Sequence, residues 1–536
     1  MKKIFIPLAL LAALCVSVAV AQINSPLNKL RYAEQAITQL YVDTVNEDKL
    51  VEDAIVGMLE KLDPHSSYTN AKETRELNEP LEGNFSGIGI TYNLVQDTVY
   101  VISTVANGPS QKVGILPGDR IIAVNDTNIA GVKISQNDVK KYLRGPKGTV
   151  ANLKTLRMAG GAVPDTILFC VTRDDIPVYS VDAAYMVTPE TGFIKLNKFA
   201  ADTSKEFIEA FKKLKKKGMK NLILDLTSNG GGYLNSAVQL LGELLPEDRL
   251  AVYTEGSHSP VQRLYVKPEG KKPLFADGRL VVMADEYSAS AAEITAGAVQ
   301  DWDRGVIVGR RTYGKGLVQR PVPFPDGSMI RLTVAHYYTP TGRDIQRPYE
   351  KGDAKAYRMD LMDRFNHGEL MHPDSIRYDE SKAAETILLK RKIYGGGGIS
   401  PDRFVPLDTM PNTKYLRDLS AKNVINRYVV AYVDKHRKEI KKSYKNDDSF
   451  VAGFNVTEPM LKDIIARGEA EGVKFNQEEY DRSRSSLAMI VKGLIGRDIY
   501  ESQTYDKVYN PTDPIFIEAL RIIESDEYDK ILNSNK

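Results

Sequence analysis

Residues 222–245 read LILDLTSNGGGYLNSAVQLLGELL. The apolar run LILDL has the length of a strand and stops at turn residues, so it reads as a buried strand. Three glycines lead from it into YLNSAVQLLGELL, the pattern of an amphipathic helix. The same order recurs downstream, where LVVMA (Leu280–Ala284) passes through DEYSAS into AAEITAGAVQ. GVIVG (305–309) and IRLTVAHYY (330–338) supply further strands. Apolar strands that alternate with amphipathic helices predict a layered α/β core with crossover connections.

Outward from this stretch, the α/β pattern begins near residue 174 and closes with YGGGGISPD (394–402), giving a core at 174–410. Residues 81–173 hold short β-like runs (SGIGITYNL, TVYVISTV, RIIAVND, TILFCVTR) punctuated by Gly and Pro, a small β-rich module. Residues 22–80 read as helical. Leu30, Ala33, Ile37, Leu40 and Tyr41 fall on one stripe; after an N-cap at Asn46, Val51, Ile55, Met58, Leu59 and Leu62 fall on another. Residues 411–536 read as a polar, lysine-rich helical extension without a chemical motif.

The chain opens with MKKIFIPLALLAALCVSVAVAQ: two lysines, an apolar run, and small residues at Ala19 and Ala21. This predicts a secretory signal at 1–21 and a periplasmic location; left uncleaved, the segment would be a membrane anchor. Cleavage removes Lys2 and Lys3 and brings the formal charge from +2 to zero, which gives no long-range pull toward nucleic acid. KKLKKK (212–217) follows Phe207, Phe211 and Leu214 at helical spacing and reads as a solvated helix face. Of two cysteines only Cys170 remains after cleavage, so no intramolecular disulfide is expected. The six histidines are scattered and no CxxC occurs, so neither a metal site nor a cofactor is expected.

Three short windows carry candidate chemistry. EYSASAAE (286–293) places Ser288 and Ser290 between a buried strand and a helix, a good site for a nucleophile, yet no histidine stands near to take a proton. TYGKGLVQ (312–319) sets Lys315 between two glycines, with Gln319 four residues on. Burial can make a lysine neutral enough to serve as a base. The SNGGG turn exposes backbone N–H groups where negative charge can settle; without G-K-[ST] it is not a nucleoside-triphosphate loop. In the β-rich module, FSGIGI and VGILPGDRIIAVN match a groove that takes a peptide carboxylate and an added strand.

Together with LDPHSSY (62–68), GFIKLNKF (192–199) and YYTPTGRDIQ (337–346), these motifs make the chain resemble the C-terminal processing peptidases, or tail-specific proteases, of serine peptidase family S41. The resemblance covers most of residues 50–410. It implies an α/β protease core of crotonase-like layering, with an inserted PDZ domain, an N-terminal helical segment and a C-terminal helical extension. It implies Ser290 as nucleophile, Lys315 as general base 25 residues later, and Gln319 orienting the lysine. Backbone N–H groups of Gly231, Gly232 and Ala291 would form the oxyanion hole. Ser86, Gly87, Ile88 and Gly89 would hold the carboxylate of an apolar C-terminal tail. Ser288 reads as a cap or loop residue, and Asp301 as a structural support. Where relatives often carry arginine after Asp-Leu, this chain has Thr227. The partners implied are protein or peptide substrates with free apolar C-termini; an activator or adaptor and a homo-oligomer are left open. Two other readings compete: a catalytically silent PDZ scaffold, which the intact Ser290, Lys315 and Gln319 argue against, and a crotonase-like acyl-transferring enzyme, which the absence of a coenzyme motif argues against.

Overall fold

LILDL forms the strand Asn221–Asp225 at the centre of a six-stranded sheet. Thr191–Leu196 and Leu280–Ala284 flank it in parallel; the sheet continues through Val306–Gly309 to Arg403–Phe404 and, at its other edge, to the antiparallel Val181–Met186. This computed structural model describes residues 25–534 except 96, 106 and 158–163. The expected signal segment, 1–21, lies outside the described residues. The chain divides into two units. One joins the described part of 1–74 to 319–333 and 349–359; the other holds 75–318, 334–348 and the chain from 360 on.

In the larger unit, strand alternation sends side chains to both faces of the sheet. Leu222, Leu224, Leu280, Val282 and Ile307 pack with apolar residues of the helices Thr203–Lys216, Leu234–Leu244 and Ala291–Asp301. Ile223, Val281, Met283, Val306 and Val308 face the other way, onto Ile515, Phe516, Ala519, Ile522 and Ile523 of the helix Pro514–Ile523. Strands buried on both faces are apolar throughout, as the sequence showed.

The extension drawn at 411–536 therefore is not one body. The helices Lys414–Ala421, Val424–Ser443, Glu458–Ala470 and Gln477–Ile499 share an apolar cluster of their own, around Tyr428, Val433, Ile464, Leu487 and Val491. The segment past 513 instead completes the core, because Ile515, Phe516, Ile522 and Ile523 recur at helical spacing and supply the apolar face that the sheet lacks.

The β-rich module is an antiparallel sheet in the order Ile90–Val95, Thr98–Thr104, Arg120–Val124, Val150–Arg157, Asp165–Thr172, with the helix Gln136–Leu143 packed on it. On Thr98–Thr104, Val99 and Val101 enter the module's core, whereas Tyr100 and Ile102 pack on Val430 of the helix Val424–Ser443.

In the smaller unit, the helices Pro26–Leu40 and Glu47–Leu59 are capped by Ser25 and Asn46, whose side chains accept from Asn28 and Lys49 N–H. The region is not helical throughout. Ser67–Thr69 is a strand, paired antiparallel with 329–331. The LDPHSSY turn sets it up: Asp63 Oδ1 accepts from the His65 and Ser66 amides at 2.8 and 2.9 Å and from Thr333 Oγ1 at 2.9 Å. Burial alone would push the Asp63 carboxyl up, but these hydrogen bonds and that of Ser66 Oγ hold it below its ordinary pKa.

Because the second face of the sheet depends on Pro514–Ile523, Ile522→Ala is expected to lower stability by about 2–5 kcal/mol. Ile517→Ala, on the same helix but 49% exposed, should stay within about 0.5 kcal/mol. Thermal unfolding midpoints of the two variants check this contrast.

Candidate active site

Ser290 caps the N-terminus of the helix Ala291–Asp301 with φ 56° and ψ −116°. Such a conformation is rare for a residue with a side chain, costs about 1–3 kcal/mol, and persists only where the surroundings impose it. Here the imposing group is Glu293, which is fully buried. Its Oε2 accepts from the Ser290 amide at 2.8 Å and from the Lys315 amide at 2.9 Å; its Oε1 accepts from Gly314 N–H at 2.7 Å and Thr312 Oγ1 at 2.5 Å. The Tyr337 hydroxyl lies 3.2 Å from the Ser290 carbonyl and also contacts the Lys315 carbonyl. The backbones of Ser290 and Lys315, 25 residues apart, thus meet on one carboxylate and one phenol. Burial pushes the Glu293 carboxyl up, and its four donors offset only part of that.

The glycines around Lys315 permit close approach by the remaining motifs. Gly314 has φ +84°, and a Cβ there would lie 3.1 Å from the Gly398 amide; one on Gly316 would lie 2.8 Å from the Gln346 amide. Gly398 N–H donates to the Ile345 carbonyl at 2.8 Å and Gly316 N–H to Gln346 Oε1 at 2.8 Å, which joins TYGKG, GRDIQ and GGGGIS.

The Gly-rich turn reaches the same place. A Cβ on Gly231 would lie 2.7 Å from Ser290 Cβ and 2.9 Å from the Ala291 amide. The Gly231 N–H itself is engaged, donating to Asn229 Oδ1 at 2.9 Å. Gly231, expected as an oxyanion donor, is a close neighbour of Ser290, and the Asn229 side chain that accepts from its amide is buried and also donates to the Leu196 carbonyl at 2.8 Å. Ser288 is buried and its hydroxyl donates to the Leu226 carbonyl at 2.8 Å, stapling the two loops together. Thr227, in the place of an arginine, turns back on Asp225, while Ser228 N–H donates to Asp285 Oδ1 at 2.9 Å.

Asp301 closes the helix that starts after Ser290, about 16 Å away at 1.5 Å per residue. It is fully buried, accepts from Thr341 N–H and Oγ1 at 2.8 and 2.7 Å, and pairs with Arg343. Gln319 belongs to the smaller unit, where its side-chain amide donates to the His65 carbonyl.

In the β-rich module, a cavity of about 270 Å³ runs between the strand Ile90–Val95 and the helix Gln136–Leu143, lined by Phe85, Ile88, Gly89, Tyr92, Lys140 and Arg144 among others. Ile88 and Gly89 line it; Ser86 and Gly87 do not. Those two sit in the strand Asn84–Gly87, paired with Asp174–Pro177, and Phe85 of the same strand lines the cavity. Arg144 lies over the Phe85 ring, 4.2 Å from its centroid. No group of three or more metal-ligating side chains occurs among the described residues.

Serine, lysine and glycine-turn segments gathered at one end of a parallel sheet, in a chain that also carries a PDZ-like groove, define a hydrolase of the serine peptidase kind. The chain belongs to the carboxy-terminal processing serine proteases of family S41. Residues 190–355 match "Peptidase family S41", 100–157 "PDZ domain", 16–74 "Activating protease CtpB N-terminal domain", and 415–501 a "Family of unknown function (DUF8443)". The chain is 30% identical over 380 residues to the carboxy-terminal processing protease CtpB of Bacillus subtilis, covering 70% of this chain and 77% of that one. It is 32% identical over 336 residues to CtpA of the same organism, covering 62% and 69%. A solved photosystem II D1 C-terminal processing protease is similar at 25% identity and a TM-score of 0.34, covering 71% of this chain and 93% of that one.

Sequence reading missed Glu293, Thr312 and Tyr337 as members of the site. Glu293 had a signal, since S-x-x-E at a helix start is a capping box whose acid reaches back to the cap amide. Glu293→Gln replaces an acceptor oxygen by an N–H₂ that faces donors, so kcat is expected to fall about 10²-fold with little change in KM. Steady-state cleavage of a peptide substrate checks it; an unchanged kcat would mean that the carboxylate does not set the Ser290–Lys315 geometry.

Proposed function

We propose that Ser290 and Lys315 are the catalytic dyad of this protease, and that it cleaves protein substrates engaged through a free apolar C-terminal tail. The observation that carries the reading is the Glu293 carboxylate, which holds the Ser290 and Lys315 amides at 2.8 and 2.9 Å from one oxygen. Lys315 in its neutral form takes the Ser290 proton, and Ser290 attacks the scissile carbonyl. The amides of Gly232 and Ala291 receive the developing oxyanion, since that of Gly231 is committed to Asn229. Lys315 then protonates the leaving amine, and water repeats the sequence on the acyl-enzyme.

Recognition falls to the PDZ groove. A tail adds as a strand to the sheet edge Ile90–Val95, its carboxylate toward the Ile88–Gly89 turn and its apolar side chain against Phe85, Ile88 and Leu143. Export by the segment 1–21 would put the enzyme in the periplasm, where protein tails of this kind are the substrates.

The test uses the chain from Gln22 onward with an unfolded reporter that ends in a free apolar C-terminus. Cleavage by the parent is expected to disappear in Ser290→Ala and Lys315→Ala and to weaken about tenfold or more when the tail is amidated. Tight tail binding without cleavage by the parent would instead favour a scaffold, and cleavage by Ser290→Ala would name the wrong nucleophile.

A further inference from the structure

The chain beyond residue 500 reaches the sheet a second time, close to the glycine turn. The helix Gln503–Tyr509 carries Asp506, whose Oδ1 lies 2.9 Å from Lys195 Nζ. Lys195 stands on Thr191–Leu196 in register with Asp225 on the adjoining strand, and its ammonium is 3.9 Å from Asp225 Oδ2. The other oxygen of Asp225 accepts from Thr227 N–H at 2.8 Å and Thr227 Oγ1 at 2.7 Å. Those two bonds turn the chain out of the strand and into Ser228, Asn229 and the glycines. Three charged groups from three separate elements thus end on the turn that packs against Ser290.

We propose that Lys195 and Asp506 are positioning residues for this turn: Asp506 fixes the Lys195 ammonium beside Asp225, and the charged Asp225 holds Thr227 and, through it, the donors that follow. The inference rests on the reading of the turn as the oxyanion loop. It also gives the C-terminal segment, which carries no motif, a share in the reaction geometry.

The energetics point the same way. Asp225 is 2% exposed, and a buried carboxylate with two neutral donors favours its uncharged form unless a cation stands by. Burial pushes Asp225 up to about 6 even with Lys195 alongside. Asp182 and Tyr185 from Val181–Met186, Tyr509 beside Asp506, and Asp513 at the start of Pro514–Ile523 also face Lys195 or Asp225. These groups are acids, so Lys195 is the charge set against them. Asp506, at the shorter distance, holds that charge in place.

The experiment compares Lys195→Met, Lys195→Arg and Asp506→Asn in the full mature chain. Lys195→Met is expected to lower kcat about tenfold or more with KM nearly constant, and Lys195→Arg to recover most of the loss. The acid limb of the kcat/KM profile should move up by about one pH unit in Lys195→Met, where the cation is removed, and up by less in Asp506→Asn, where the cation loses the partner that fixes it beside Asp225. A role in stability alone would leave both acid limbs where they are. Hydrogen exchange of residues 226–233, measured on a Ser290→Ala background, should quicken with Lys195→Met whether or not the parent cleaves. Unchanged exchange together with unchanged kcat in Lys195→Met overturns the proposal, as does an acid limb that stays in place or moves down in either variant. Should Lys195→Met fail to fold, the Asp506→Asn acid limb decides: an upward shift supports the pair, and an unmoved or lowered limb overturns it. Faster exchange in a parent that cleaves nothing would sink the oxyanion reading and leave the pair standing.

Discussion

The arrangement at the end of the central sheet hangs on one buried carboxylate. Glu293 satisfies the amides of Ser290, Gly314 and Lys315 and the hydroxyl of Thr312. A helix N-terminus leaves unsatisfied N–H groups, and burial would make each of them costly. One acid three residues into the helix resolves this for its own cap and for a loop from another strand at the same time. The strained backbone of Ser290 follows, because the cap amide must point at Glu293 while the side chain leaves in another direction. Closely packed glycines complete the arrangement: at Gly231, Gly314 and Gly316 a single added carbon would meet Ser290, Gly398 or Gln346 at 3.1 Å or less.

Much of this was legible in the sequence, for identifiable reasons. LVVMA is apolar throughout, and LILDL is apolar but for Asp225, because their strands are covered on both faces, and GKG announced a tight approach around Lys315. TVYVISTV read only as a short β-like run; the structure adds that Val99 and Val101 face the module's core while Tyr100 and Ile102 pack on Val430. What sequence could not supply were the partners over long separations. Nothing in DPIFIEALRII says which surface it meets, because amphipathic periodicity fixes which face of a helix is buried but not against what. The identity of the Gly231 amide's acceptor was hidden similarly, since an asparagine two residues away is as common in an exposed turn as in a buried one.

The two ends of the PDZ module illustrate the limit of motif reading. The residues FSGIGI suggested a four-residue carboxylate loop, and in the structure Ser86 and Gly87 belong to a strand paired with Asp174–Pro177. A strand register decides the matter, and register is a property of two segments, here about ninety residues apart in the chain.

Phe193 and Phe516 touch edge to face, their ring centroids 5.6 Å apart, and through them the helix Pro514–Ile523 seals the lower face of the sheet. The intervening loop is about three hundred residues long, and closing such a loop is an entropic cost that local contacts cannot recover in advance. The sheet therefore cannot be finished piecemeal, strand by strand. Until the chain has been made through the Ile522–Ile523 pair, the face that includes Ile223, Val281 and Val308 has no cover, and a nascent chain at that stage presents an adhesive apolar surface in place of an enzyme.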